Sequence, residues 1–355
     1  MTGQRLVAAL MTVLLAGCGP AVAASDPAPA AERAAPERPY AVGVREFTVD
    51  PDGPRPLPVT VWYPVDRTTS PGPIADGPSD AAPSPGPIAD GPSATAPSPD
   101  RSGPGRRPAV TPSPATRTGP RVWPGAPVAT GRFPVVVHSH GLRSLPALHA
   151  ALTTRWAAAG LVVVAPTYPR TNRRARNFSR DDVRNQPADA WRLVRHLVRL
   201  STRAGDPLGA HLAMDRLAAT GHSAGGHTTL GMFASAPPVP LRAAIVLAGG
   251  RPAVGPVRPL APVLFVHGTA DRIVPHSIGR AAYARCLGPA AFLSLLRQGH
   301  GEYLNPGRPG FAPVLATTTD FLRWALYADR AALRRLPADA TTPGVTTFTT
   351  RSFPA

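Results

Sequence analysis

From residue 131 onward, short continuous apolar runs alternate with longer stretches whose apolar positions recur at helical spacing. The runs "FPVVVHSH" (133–140), "LVVVAPTY" (161–168), "DRLAATGHS" (215–223), "RAAIVLAG" (242–249), "PVLFVHG" (262–268) and "AFLSLLRQ" (291–298) predict strands. Most are apolar without a polar face, as strands covered on both sides require. Between them, 147–160 predicts a helix ending at Gly160. Residues 187–201 predict another, with Trp191, Leu193, Val194, Leu197, Val198 and Leu200 largely on one side. Residues 224–235 predict a third and 311–329 a closing helix. Earlier in the chain, "YAVGVREFTV" (40–49) and the β-branched "LPVTVWYPVD" (57–66) predict two more strands. The pattern implies an α/β fold, a mostly parallel central sheet with helices on both faces. In such sheets functional groups sit beyond the carboxyl ends of the strands.

Two stretches break this pattern. After Arg5 the run "LVAALMTVLLAG" is too short to span a membrane and reads as a signal-peptide core. It ends in "LAGC", which matches the bacterial lipobox. The expectation is a signal peptide over 1–17, lipidation of Cys18 and a disordered tether over 18–39. The alternative is ordinary cleavage after Ala23 or Ala24. Either route places the protein outside the cytoplasm, lipid-anchored to the cell membrane or secreted. The second break is "SPGPIADGPSDAAP" (70–83), followed by its near-copy "SPGPIADGPSATAP" (84–97). Proline, glycine and serine cannot build a core there, so 68–128 is expected to be a disordered insert between strands. The folded domain proper is expected over 40–67 and 129–330, with 331–355 a C-terminal extension.

Charge adds little. The net charge is +17, and all 38 residues of the Lys+Arg count are arginine. They are spread along the chain without aromatic interleaving or a basic helical stripe, so no nucleic-acid partner is expected. With Cys18 lipidated, Cys286 alone remains, so no internal disulfide is expected.

The chemistry begins at "GHSAGGH" (221–227). Ser223 ends a strand and opens a helix within Gly221-x-Ser223-x-Gly225, the pattern of a nucleophile elbow. The turn is tight, so side chains at Gly221 and Gly225 would clash. The helix behind Ser223 offers free amides where negative charge would develop. The amide of Ala224 is one candidate oxyanion donor. The amide of Leu142, after the strand "VVVHSHGL", is the other. The acid should follow a later strand, and "LFVHGTADRIVP" supplies Asp271. The base should follow the last strand, where "LRQGHGEYL" supplies His300 between Gly299 and Gly301. His222 is adjacent to Ser223 and should point to the other face. His227, one turn into the helix, should pack under the sheet. His267 precedes the acid. The run His138-Ser139-His140 has no metal-ligand spacing, and no metal is expected. His140 is expected to bond loop backbone.

Together "VTVWYP" (59–64), "HSHGL" (138–142), "RDDV" (180–183), "GHSAGG" (221–226), "HGTADRIVP" (267–275) and "GHGEY" (299–303) resemble the α/β hydrolases of the dienelactone-hydrolase and platelet-activating-factor acetylhydrolase-like group. Cutinase-like polyesterases are close to it. The resemblance implies a serine hydrolase acting on esters with a small acyl group, with Ser223, Asp271 and His300 as triad. It implies no cofactor, and a monomer acting on a small ester or lipid is expected. The alternatives are a polyester depolymerase and a non-catalytic surface protein that keeps the fold. The arginine-dense "YPRTNRRARNFSRDD" (168–182) should border the site, as a cationic rim for an acidic substrate or as a solvated loop.

Overall fold

The structure is a computed structural model that describes residues 34–67, 119–233, 237–250 and 261–353. The expected signal peptide, Cys18, the start of the tether and the tandem repeat lie outside these residues. Among the described residues ten strands form one sheet: β1 (Ala41–Val49), β2 (Leu57–Val65), β3 (Val122–Pro124), β4 (Phe133–Ser139), β5 (Val162–Pro166), β6 (Leu212–His222), β7 (Leu241–Leu247), β8 (Val263–Gly268), β9 (Ala290–Leu295) and β10 (Thr346–Arg351). Their spatial order is β10-β9-β8-β7-β6-β4-β5-β2-β1-β3. The central strands β5, β4, β6, β7, β8 and β9 run parallel. The pairs β1–β2, β2–β5 and β9–β10 are antiparallel. The fold is therefore mixed α/β with a mostly parallel sheet.

The apolar runs behave as doubly covered strands must. Along β4, Val136 faces one core while Val135 and Val137 face another. β5 repeats this with Val163 against Val162 and Val164. Further along the sheet Leu264 and Val266 of β8 join the first core, and Val263 and Phe265 a third. The first core lies under α1 (Ala150–Ala158) and α5 (Phe311–Tyr327). The second lies under α2 (Gln186–Ser201) and the third under α4 (His276–Arg285). Trp156 of α1 is fully buried, and its indole N–H donates to Thr318 Oγ1 at 3.1 Å. The remaining helices are α3 (Ala224–Met232) and α6 (Arg330–Asp339).

Two expected boundaries are corrected. Residues 119–128 were expected within the disordered insert, but β3 lies there, parallel to β1, with Trp123 buried. A single large aromatic anchors this short strand, and proline-rich composition hides it. The expected extension 331–355 also contributes structure. Ala328 turns left-handed at φ 55° and ends α5; the Asp329 side chain then accepts the Ala332 amide at 3.0 Å and starts α6. β10 pairs with β9 at the sheet edge. Its sequence "TTFTTR" carries one apolar residue, too few for a periodic signal. Helix α4 has no counterpart among the predicted elements.

One ion cluster ties the β1–β2 hairpin to the start of α2. Arg55 binds Asp182 through two bonds of 3.0 and 2.9 Å and Asp189 through two of 3.3 and 2.6 Å. The side chains of Asp182 and Asp189 are only 4% and 6% exposed. Burial alone would raise the Asp182 carboxyl; its bonds from Arg55 and Asn185 reverse this and hold it below its usual value. Replacing Arg55 by Met leaves two buried carboxylates without their principal partner. The expected loss is about 2–4 kcal/mol near neutral pH, read from urea unfolding. A depressed carboxyl stabilises the fold above its unfolded pKa and loses this as pH falls. The gap between wild type and Arg55→Met should therefore narrow below about pH 4.

Candidate active site

β6 ends at His222 and α3 begins at Ala224, so the whole reversal falls on Ser223. Its backbone takes φ 57° and ψ −119°, a conformation that costs a non-glycine residue about 1–3 kcal/mol. Neighbouring structure holds it there. The Ser223 amide donates to Leu247 O of β7 at 2.8 Å, and Ser223 O accepts from Gly226 at 2.9 Å. Gly221 and Gly225 are required by contact: a Cβ on Gly221 would strike the Gly225 carbonyl, and one on Gly225 the Ser139 carbonyl.

Asp271 follows β8 and His300 follows β9, and the structure brings them together. His300 Nδ1 lies 2.8 Å from Asp271 Oδ2, while the Asp271 side chain has no exposure. The same oxygen lies 3.3 Å from His267 Nε2. The other oxygen, Oδ1, accepts the amides of Ile273 and Val274 at 2.9 Å each. Burial pulls the carboxyl upward; the bonds from His267, His300 and Val274 outweigh it and hold the group well below the carboxylate range. Bound to this carboxylate, His300 Nδ1 is the donor, which leaves Nε2 as the ring's acceptor nitrogen. The His300 loop is pinned in turn. Gly299 donates its amide to Glu302 Oε2 at 2.6 Å, and His300 O accepts from His222 Nε2 at 2.7 Å.

The turn after β4 comes up against the serine: a Cβ on Gly141 would lie 3.1 Å from Ser223 Cβ. His140 sets the geometry of this turn. Its Nδ1 is 2.7 Å from Gly141 O, and its Nε2 accepts the Tyr168 amide at 3.1 Å. The ring is therefore neutral with its proton on Nδ1, donating to Gly141 O. In a trans peptide the carbonyl and the next N–H point in opposite directions. Fixing Gly141 O thus fixes the direction of the Leu142 N–H. Among the described residues, neither the Leu142 nor the Ala224 amide has a backbone acceptor.

Ser223, His300, Leu142 and Ala224 line one cavity of about 990 Å³. Asp271 sits behind His300, outside the lining. Cys18 is outside the described residues. His227 was expected under the sheet, but it lines the cavity, because the first turn of α3 starts just past the carboxyl end of β6 rather than beneath the sheet. His222 is buried, with its ring 4.8 Å from that of His300 and 5.5 Å from that of His149. It was expected to point to the other face from Ser223, but it lines the same cavity and its Nε2 bonds His300 O. His267 and Glu302 contact Asp271 and the His300 loop and were not singled out from sequence for that. "HGTAD" and "GHGEY" contain them, and both contacts are local, His267 to Asp271 at i+4 and Glu302 to the Gly299 amide at i−3.

Burial keeps the histidines around the site neutral. It lowers His138 to about 3, His140 to about 4 and His222 to about 3, and brings His149 well below its usual value. Each binds a proton in the unfolded chain below about pH 6.5 that the folded chain refuses. Stability contributed this way is complete above pH 6.5 and falls as the pH drops toward 4. Each such histidine adds up to about 1.4 kcal/mol per pH unit to the slope. Urea midpoints measured between pH 7.5 and 4, marking the range to scan with roughly even steps, should fall steeply below 6.5. A flat profile would contradict the buried neutral cluster.

Compared with models of known protein families and with curated proteins, the chain matches none.

Proposed function

We propose that the chain is a serine hydrolase of the α/β-hydrolase kind, cleaving carboxylic esters with a small acyl group through an acyl-enzyme. One observation carries this reading. A serine on a strained strand-to-helix turn shares a cavity with a histidine whose other nitrogen is bound to a buried carboxylate. The order Ser223, Asp271, His300 along the chain is that of the α/β-hydrolase triad.

In the proposed reaction Ser223 Oγ attacks the ester carbonyl and its proton passes to His300 Nε2. The imidazolium is stabilised by Asp271, which stays charged throughout. Negative charge on the carbonyl oxygen is met by the amides of Ala224 and Leu142. His300 returns the proton to the leaving alcohol, and water, activated the same way, releases the acid. No cofactor enters these steps. Export and lipidation at Cys18 are proposed on the sequence alone.

Ser223→Ala should lower hydrolysis of 4-nitrophenyl acetate by roughly 10⁴-fold or more. Asp271→Asn should lower it by a similar order, because the imidazole then loses its preferred tautomer. A fluorophosphonate should label wild type on Ser223 and leave Ser223→Ala unlabelled. Equal turnover by wild type and Ser223→Ala would overturn the reading.

A further inference from the structure

Part of the cavity lining is apolar, with Leu142, Ile273 and Ile278. The charged part is unbalanced: Arg143, Arg173, Arg180 and Arg184 stand against the single carboxylate of Asp181. All four arginines are exposed. The carboxylates nearest in sequence are engaged elsewhere. Asp182 is bound by Arg55, and Asp189 by Arg55 and Arg192. Among the described residues none of the four cavity arginines forms an ion pair.

These arginines are carried on ordered backbone. The Arg143 amide donates to Thr171 O at 2.7 Å, and the Arg173 amide to Ser144 O at 3.1 Å, stitching the turn after β4 to the segment after β5. Gln186 joins the same segment to the nucleophile helix. Its Nε2 donates to Thr171 Oγ1 at 2.7 Å and its Oε1 accepts from Thr228 Oγ1. Arg143 itself takes φ 52°, and its guanidinium lies 4.0 Å from the centre of the Phe178 ring. A loop that merely keeps charge in water needs none of this order. A surface that binds an ion with several guanidinium groups at once does, because each immobilised side chain otherwise costs binding energy.

We propose that this lining is a subsite for an oxyanion, a carboxylate or phosphate, carried by the leaving group of the ester. The proposal rests on the esterase reading above. Guanidinium forks match both anions in shape, and a concave site concentrates their field. The apolar residues of the same cavity are left for the carbon skeleton. The substrate class is thus an acyl ester of an anionic alcohol or phenol.

The test compares acetate esters of four phenols that differ in the para group: carboxylate, phosphate, methyl and trimethylammonium. At low salt the anionic esters should exceed the methyl ester in kcat/KM by roughly tenfold or more. The carboxylate and phosphate arms decide which anion is preferred. In the variant Arg173→Gln/Arg180→Gln/Arg184→Gln the anionic-to-neutral ratio should fall by about the same factor. In wild type it should shrink in about 0.5 M sodium chloride. Neutral and cationic esters turned over as well as anionic ones would overturn the subsite and leave the esterase reading standing. If no ester is hydrolysed, the esterase reading fails, and binding decides the subsite separately. Phenyl phosphate and benzoate are then titrated calorimetrically into Ser223→Ala with and without the three arginine substitutions. Binding lost with the arginines supports the subsite. Absent binding, or equal binding by both proteins, overturns it.

Discussion

The site hangs on one backbone conformation, that of Ser223. At φ 57° the residue is unfavourable in isolation, so everything around it must supply the difference. β7 contributes an acceptor for its amide. The carbonyls of Gly225 and Ser139 fill the space that side chains at Gly221 and Gly225 would need. Since β4, β6 and β7 are adjacent, the same register that pairs these strands also brings the Gly141 turn against the serine. Strand order and the geometry at Ser223 are in this sense one constraint.

The second requirement is electrostatic, and burial works in opposite directions on its parts. For His138, His140 and His222, lost hydration is the leading effect and keeps the rings neutral. For Asp271 it is opposed by donors on both carboxylate oxygens, and the charge persists although the side chain is inaccessible. Asp271 thus offers His300 Nδ1 a charged acceptor that its other donors hold in place.

The residues that define the candidate site were legible because their signals are local. A glycine two positions either side of a serine at a strand end, and an aspartate and a histidine each just past a strand, can be read from a few neighbouring letters. The central strands were legible because burial on both faces demands continuous apolar runs. What escaped the sequence was held by contacts between distant segments. β3 depends on Trp123 reaching the core beside β1, and β10 on pairing with β9 despite a threonine-rich sequence. His267 and Glu302 act within their own turns, through a ring–carboxylate contact at i+4 and an amide bond at i−3, which the letters alone do not distinguish from a solvated polar residue. His227 was misplaced because helical spacing gives its face but not the depth at which α3 starts.

The arginine segment shows the same limit in its most informative form. Its composition allowed a solvated loop or a cationic rim, and composition alone cannot separate these. The partition of its acids adds a spatial observation. Asp182 and Asp189 face the β1–β2 hairpin and are taken up by Arg55. The arginines of neighbouring positions, with Asp181, are left at the cavity. Gln186 lies between these two sets and reaches Thr228 on the nucleophile helix. Helix α2 carries both Asp189, bound by Arg55, and Gln186, bound to Thr171 and Thr228, so one element ties the β1–β2 hairpin and α3 together.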